Sequence, residues 1–102
     1  MTEGGGIDIG SIQHEEDEAR GAFFIEIDGE RVAEMAYRRA NPARITVIHT
    51  EVRESLSGQG VGRTLLDALV AWARATDTKV VATCPYVRAQ FQRDPSIQDV
   101  LA

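Results

Sequence analysis

The 102-residue chain is poor in cysteine, tryptophan, proline and lysine, with one, one, three and one of each. The lone Cys84 excludes an intramolecular disulfide and any cysteine-rich zinc site, and no metal is expected. The only lysine is Lys79, so no Gly-Lys-Ser/Thr phosphate loop is present. No apolar run exceeds strand length, which argues against a membrane-spanning helix. The opening Met1-Thr2-Glu3-Gly4-Gly5-Gly6 has neither the basic start nor the apolar stretch of a secretory signal. Cytoplasm is therefore the expected compartment, and no membrane partner is expected.

Positive charge is also scarce, and unevenly placed. Through residue 30 there are nine acidic residues against Arg20 alone, and beyond it seven against ten basic ones, for a net charge of −5. An acidic chain is a poor phosphate-neutralising binder, so no nucleic acid partner is expected. The acidic third is either a solvated face or a surface for a basic partner. With 43% hydrophobic residues the length suits one small domain. We expect residues 1–6 to be a disordered tail and 7–102 a single, monomeric domain.

Alternation and turn residues give a meander. Ile7 to His14 reads as a first strand and Glu15 to Gly21 as a charged connection. Ala22 to Ile27 is a second strand, and Asp28-Gly29-Glu30 a hairpin signal into Arg31–Arg39. On that third strand Ala33, Met35 and Tyr37 share one face. Asn41-Pro42 turns the chain into Arg44–Glu51, where Ile45, Val47, His49 and Glu51 share one parity and Thr46, Ile48 and Thr50 the other. Val61, Leu65, Leu66, Leu69, Val70 and Ala73 recur at helical spacing in a helix ending near Asp77. Lys79–Thr83 reads as a strand buried on both faces. Pro85 suits the first position of a second helix, with Cys84 at its N-cap, Val87 and Phe91 inward, and an end before Asp94-Pro95. The order is β-β-β-β-α-β-α, an α+β domain with one βαβ crossover.

Between the fourth strand and the long helix lies Ser57-Gly58-Gln59-Gly60-Val61-Gly62. Glycines at alternate positions permit close backbone approach to a ligand. The first amides of a helix are unpaired and sit at the positive end of its dipole, which suits a pyrophosphate. A dinucleotide fingerprint would need glycine where Arg63 stands. The competing reading is a tight turn with close strand–helix packing.

Leu56 to Leu66 resembles the coenzyme A pyrophosphate loop of the GNAT (Gcn5-related N-acetyltransferase) superfamily, with Gly60 and Gly62 matching its glycines. His49-Thr50-Glu51-Val52 before the loop and Cys84-Pro85-Tyr86-Val87 after the next strand resemble motifs of a subfamily of short, single-domain GNAT-like proteins. The resemblance implies an abbreviated GNAT fold and acetyl-coenzyme A as cofactor. Its pyrophosphate would rest on backbone amides around Gln59 to Arg63, Gly60, Val61 and Gly62 among them, and its pantetheine arm would lie between the strand ends near Val52 and Thr83. Val52, Arg53, Ser57, Gly58, Cys84 and Tyr86 complete the implied cofactor site. Ser57 stands where the family usually has Gln or Arg.

Acetyl transfer to an amine needs a base, donors for the oxyanion, and an acid for the departing thiolate. Glu51 and His49 are candidate proton carriers; otherwise Glu51 is a surface carboxylate paired with Arg53 or Arg88, and His49 a hydrogen-bonded strand residue. Amides from Thr50 to Arg53 are candidate oxyanion donors. A helix N-terminal seat would favour the Cys84 thiolate, making it a nucleophile, a residue lining the thioester pocket, or a small apolar cap. The tyrosine that larger relatives carry midway along the final helix is missing from Ala89–Arg93. Relatives also insert two helices between the first two strands; seven residues here leave no room for them, so the acceptor side is open and suits a protein amine. The expected function is a minimal N-acetyltransferase, with a non-catalytic coenzyme A-binding module as the alternative.

Overall fold

The computed structural model describes residues 12–102; the expected tail, and the first strand before Ile12, lie outside them. Five strands form one sheet in chain order: β1 (Ile12–Glu16), β2 (Arg20–Ile27), β3 (Glu30–Asn41), β4 (Arg44–Val52) and β5 (Lys79–Ala82). Neighbours are antiparallel except β4 and β5, which run parallel across the crossover made by α1 (Val61–Ala75). Helix α2 (Pro85–Arg93) and a 3-10 segment, Pro95–Val100, follow. The β-β-β-β-α-β-α order stands, with the 3-10 segment added at its end. Among the described residues no helix is long and apolar enough to cross a membrane.

Local chemistry accounts for most boundaries. Asp28 (φ 54°) and Gly29 (φ 81°) occupy the left-handed region that a two-residue hairpin requires. Helix α1 opens at Gly60, and α2 opens with Pro85 at its first position and Cys84 as N-cap. Glu15 and Glu16, expected in a connection, belong to β1 and pair with Ala22 and Gly21. Partners on β3 make that possible: Arg31 binds Glu15, and Arg39 binds Glu16. The turn that remains is closed by Asp17, whose carboxylate accepts the N–H groups of Ala19 and Arg20.

The core lies on one face of the sheet. Phe23, Ile25, Met35, Tyr37, Ile45 and Val47 pack there against Leu65, Leu66, Leu69 and Val70 of α1 and Val87 and Phe91 of α2. Each buried leucine contributes about 1.5–3 kcal/mol. Ile97 and Val100 of the 3-10 segment fill the end of this layer, and Leu101 bridges Val80 at the sheet edge. The opposite face carries none of these helices. Strand β5 is therefore buried on one side only, Val80 fully and Val81 and Ala82 in part, against the expectation of two covered faces.

A second departure lies in β4. Tyr37 pairs with Val47 and Ala36 with His49, so Ile48 is an extra, bulged residue. The bulge reverses the parity beyond it. Thr50 and Val52, not His49 and Glu51, continue the core-facing row of Ile45 and Val47, while Ile48 is pushed outward to 38% exposure.

Two contacts pin the layers. The Tyr37 ring lies over Gly21, its cross-strand partner, and its hydroxyl donates to Glu16 while accepting from His14 Nε2 at 2.6 Å. Burial together with the Glu16 carboxylate pushes the Tyr37 phenol well above its ordinary range. Arg63 ties α1 to α2 by binding Asp67, Gln90 and Asp94.

A Cβ on Gly21 would lie 2.5 Å from the Tyr37 ring and 2.7 Å from the Glu15 carbonyl oxygen. Gly21→Ala is therefore expected to cost about 1–3 kcal/mol, read as a fall of roughly 4–8 °C in Tm per kcal/mol. The Arg63 guanidinium, helped by Ser96, holds the Asp94 carboxyl down at about 2, against 3.8 when unperturbed. The unfolded chain thus takes up this proton first as pH falls, so the stabilisation present above pH 3.8 is lost toward pH 2. Acid titration of stability should show that loss, and Arg63→Met should reduce it to the part that the Ser96 hydrogen bonds sustain.

Candidate acyl-coenzyme A site at the strand fork

The three loop glycines have two separate causes. Gly58 (φ 81°) and Gly60 (φ 75°) adopt left-handed backbone, and a Cβ on either would project into open space. Gly62 is in the helix, where a Cβ would come within 3.1 Å of the Tyr86 ring. The loop thus turns sharply into α1, and the start of α2 packs closely against that helix.

That turn leaves donors bare. No side chain caps α1, and the N–H of Thr64 makes the bond to the Gly60 carbonyl at 3.0 Å. The amides of Val61, Gly62 and Arg63 precede that bond and have no partner within the helix. The first turn contains no acidic residue to oppose an anion. The Arg63 side chain is turned toward α2, so at this position the amide, not the guanidinium, faces the loop.

Opposite the loop the sheet opens. The parallel pairing runs from Arg44 with Lys79 to Val47 with Ala82. The Val47 carbonyl then accepts both the Thr83 N–H (3.0 Å) and the Cys84 N–H (3.2 Å), and the two strands part. The Arg53 N–H is bonded to the Val32 carbonyl on the β3 side. Main-chain groups alternate along an antiparallel strand, so Thr50 and Val52 turn theirs toward the gap left by β5. Of the expected oxyanion donors, Arg53 is thus already paired, and its side chain binds Glu30.

Loop and fork border one cavity of about 330 Å³. Thr50 and Val52 line it from the strand, Gly58, Gly60, Val61 and Gly62 from the loop and helix start, and Leu56, Ser57 and Tyr86 complete it. Leu56 is an addition to the residues expected from sequence, and so is the Thr50 side chain, since only its amide was expected there. Thr50 was hidden by the bulge, which no alternation pattern reveals. Cys84 is 4% exposed, its Sγ 3.3 Å from the Thr50 hydroxyl oxygen. Burial pushes the Tyr86 phenol up, so it holds its proton at neutral pH. Of the residues expected in the cofactor site, Arg53, Gln59, Arg63 and Cys84 do not line the cavity.

His49 and Glu51 are on the other face. Their side chains are more than half exposed, with Nε2 and Oε1 3.4 Å apart, and Glu51 stands across from Glu34 rather than pairing with Arg53 or Arg88. The bulge thus separates them from Thr50 and Cys84 by the thickness of the sheet.

The donor set suits a pyrophosphate-bearing ligand whose arm continues into the fork: unpaired amides at a helix start, then unpaired main-chain groups on a strand. Comparison with known proteins agrees. Residues 22–100 match the family model described as GCN5-related N-acetyl-transferase. The solution structure of a GCN5-like protein from Staphylococcus aureus is 32% identical, with TM-score 0.69, over 90% of this chain and 89% of its own. Ribosomal-protein-alanine N-acetyltransferase from Brucella melitensis is 25% identical with TM-score 0.57 over 69% of this chain, which spans about half (53%) of that protein. Tetrahymena GCN5, at 11% identity, TM-score 0.61, and coverage of 76% of this chain and 50% of its own, shares the fold. A search among curated proteins gave no match. The chain belongs to the GCN5-related N-acetyl-transferase family.

Proposed function

We propose that this chain is a minimal N-acetyltransferase that uses acetyl-coenzyme A to acetylate an amine on a protein or peptide. The observation that carries the reading is the convergence on one cavity of the Val61 and Gly62 amides, free of helical partners, and the gap-facing main chain of Thr50 and Val52. Family enzymes use acetyl-coenzyme A, which supplies an activated acyl carbon. The amides at the start of α1 would hold its pyrophosphate, with the loop backbone from Gly58 to Gly60 closing round it. Val52 would bond the pantetheine arm, and the Thr50 N–H would face the acyl oxygen, where one such donor is worth about 10²–10³-fold in rate.

The acceptor would approach from the uncovered face of the sheet. Glu51, with His49 beside it, takes the proton that an ammonium must lose before its nitrogen can bond to the acyl carbon. General-base help of this kind contributes about 10²–10⁴-fold. As the carbon–sulfur bond breaks, Tyr86, which is protonated, gives its proton to sulfur, and the second proton lost by the acylated nitrogen, carried by solvent, restores the phenol. Among the described residues the tight β1–β2 turn leaves this face without a wall, which suits an amine presented by another protein better than a small free acceptor. The Brucella relative's name likewise specifies a protein amine.

The separation of Glu51 and His49 from Cys84 across the sheet favours a second reading, a module that binds acyl-coenzyme A without turnover. Titrating labelled protein with acetyl-coenzyme A should shift the amide resonances of Gly58 to Arg63, whereas unmoved resonances at millimolar ligand would overturn both readings. Release of coenzyme A thiol that depends on an added lysine peptide separates the first from the second.

Cys84, buried behind Thr50 and outside the cavity lining, is assigned to packing beneath the thioester pocket. Mass spectrometry after incubation with acetyl-coenzyme A should therefore find no acetyl group on Cys84, and Cys84→Ala should retain peptide-dependent thiol release. An adduct on Cys84 together with loss of turnover in the variant would establish a covalent relay instead.

A further inference from the structure

The register places three rows of side chains across the uncovered face. One row runs Gln13, Phe24, Glu34, Glu51; the next Glu15, Ala22, Ala36, His49; the third sets Arg20 against Arg38. All alternate with the core-facing Phe23, Met35 and Tyr37 and so point away from the helices. Ala22 and Ala36 in the middle row are small, and with the bulged Ile48 they floor an open trough of about 580 Å³ that Glu15, Glu16, Asp17, Arg20, Arg31 and Glu34 also line. On either side stands a like-charged cross-strand pair, Glu34 with Glu51 and Arg20 with Arg38. Directly opposed like charges are unfavourable. Glu34 is relieved by Arg31 at 2.9 Å, but Glu51 has only His49. Among the described residues neither Arg20 nor Arg38 has a carboxylate partner.

Of the carboxylates along it, Glu15 and Glu16 are bound by Arg31 and Arg39 and Asp17 by two backbone N–H groups, so the charges left over make the track acidic where Glu34 leads to Glu51 and basic where Arg20 stands beside Arg38. Glu34 and Arg38 are four residues apart on β3, which is roughly 13 Å at about 3.3 Å per residue. That span is too long for a single free amino acid and matches about four residues of extended peptide.

We propose that this trough is the acceptor track, and that its occupant is an extended segment of a protein carrying the reactive amine at Glu51 and a carboxylate side chain about four residues away, held by Arg20 and Arg38. The inference rests on the acetyltransferase reading and specifies its substrate. Small side chains at Ala22 and Ala36 let the segment lie flat, and Ile48 offers it an apolar contact. A uniformly basic segment is disfavoured, because its far end would meet the two arginines. The opposed charges also fix direction, since a reversed segment would set like charges together at both ends.

The test uses synthetic peptides with one lysine and glutamate, alanine or arginine four residues from it, in both chain orders, with the full chain and saturating acetyl-coenzyme A. In one order the glutamate peptide should have a KM about three- to tenfold below the alanine peptide, and the arginine peptide should be the poorest, as two exposed ion pairs allow. The double variant Arg20→Glu, Arg38→Glu should reverse that ranking and leave acetyl-coenzyme A affinity and Tm unchanged. Anisotropy of fluorescein-labelled peptides on the coenzyme A-bound protein gives the same ranking without turnover. Thiol release that is equal for all peptides, or equal for free lysine, would overturn the track and leave the acetyltransferase reading standing. Absence of acetyl-coenzyme A binding would remove that reading itself.

Discussion

The structure depends on where the parallel ladder ends. One carbonyl, that of Val47, receives both the Thr83 and Cys84 amides and so closes the pairing of β4 with β5. Immediately beyond it Ile48 bulges, which bends β4 away and gives it stronger local twist. A continuous ladder would bury the polar groups of Thr50 and Val52 in hydrogen bonds and leave no gap between the strands. Ending the ladder at Val47 exposes them, and the same shift in parity brings the Thr50 hydroxyl to Cys84. The geometry of the cavity thus follows from one extra residue in one strand.

The helix start is matched to that opening. Gly58 and Gly60 supply left-handed backbone, which turns the chain from the strand end into α1 within a few residues. Arg63 then fastens α1 to α2 through Gln90 and Asp94, and the Tyr86 ring rests where Gly62 has no side chain. The bare amides are held in place by contacts on the far side of the helix, so they need no capping side chain to fix them. A cradle braced by such contacts pays less to become ordered on binding.

Much of this was legible in the residues. Asp28-Gly29 announces a hairpin because few dipeptides tolerate positive φ twice, and Pro85 after a short apolar run announces a helix start. The α1 periodicity carries its own core assignment, from Val61 to Ala73. What escaped were features decided by partners distant in sequence. Glu15 and Glu16 read as a loop because their charges are neutralised by Arg31 and Arg39, which no local pattern shows. The Ile48 bulge reads as regular alternation, yet it moves every side chain beyond it to the other face. The apolar composition of β5 suggested two covered faces, although the helices of the described structure occupy only one.

The brevity of the β4–β5 contact also bears on how the molecule comes apart. Three antiparallel pairings join sequence neighbours, whereas four residue pairs and the shared core hold β5 to the meander. Local openings follow cooperative units of this kind, so the segment from β5 onward and the fork it borders form a natural low-energy opening. A ligand spanning loop and fork would brace that seam, coupling occupancy of the site to protection of the C-terminal segment from exchange and proteolysis.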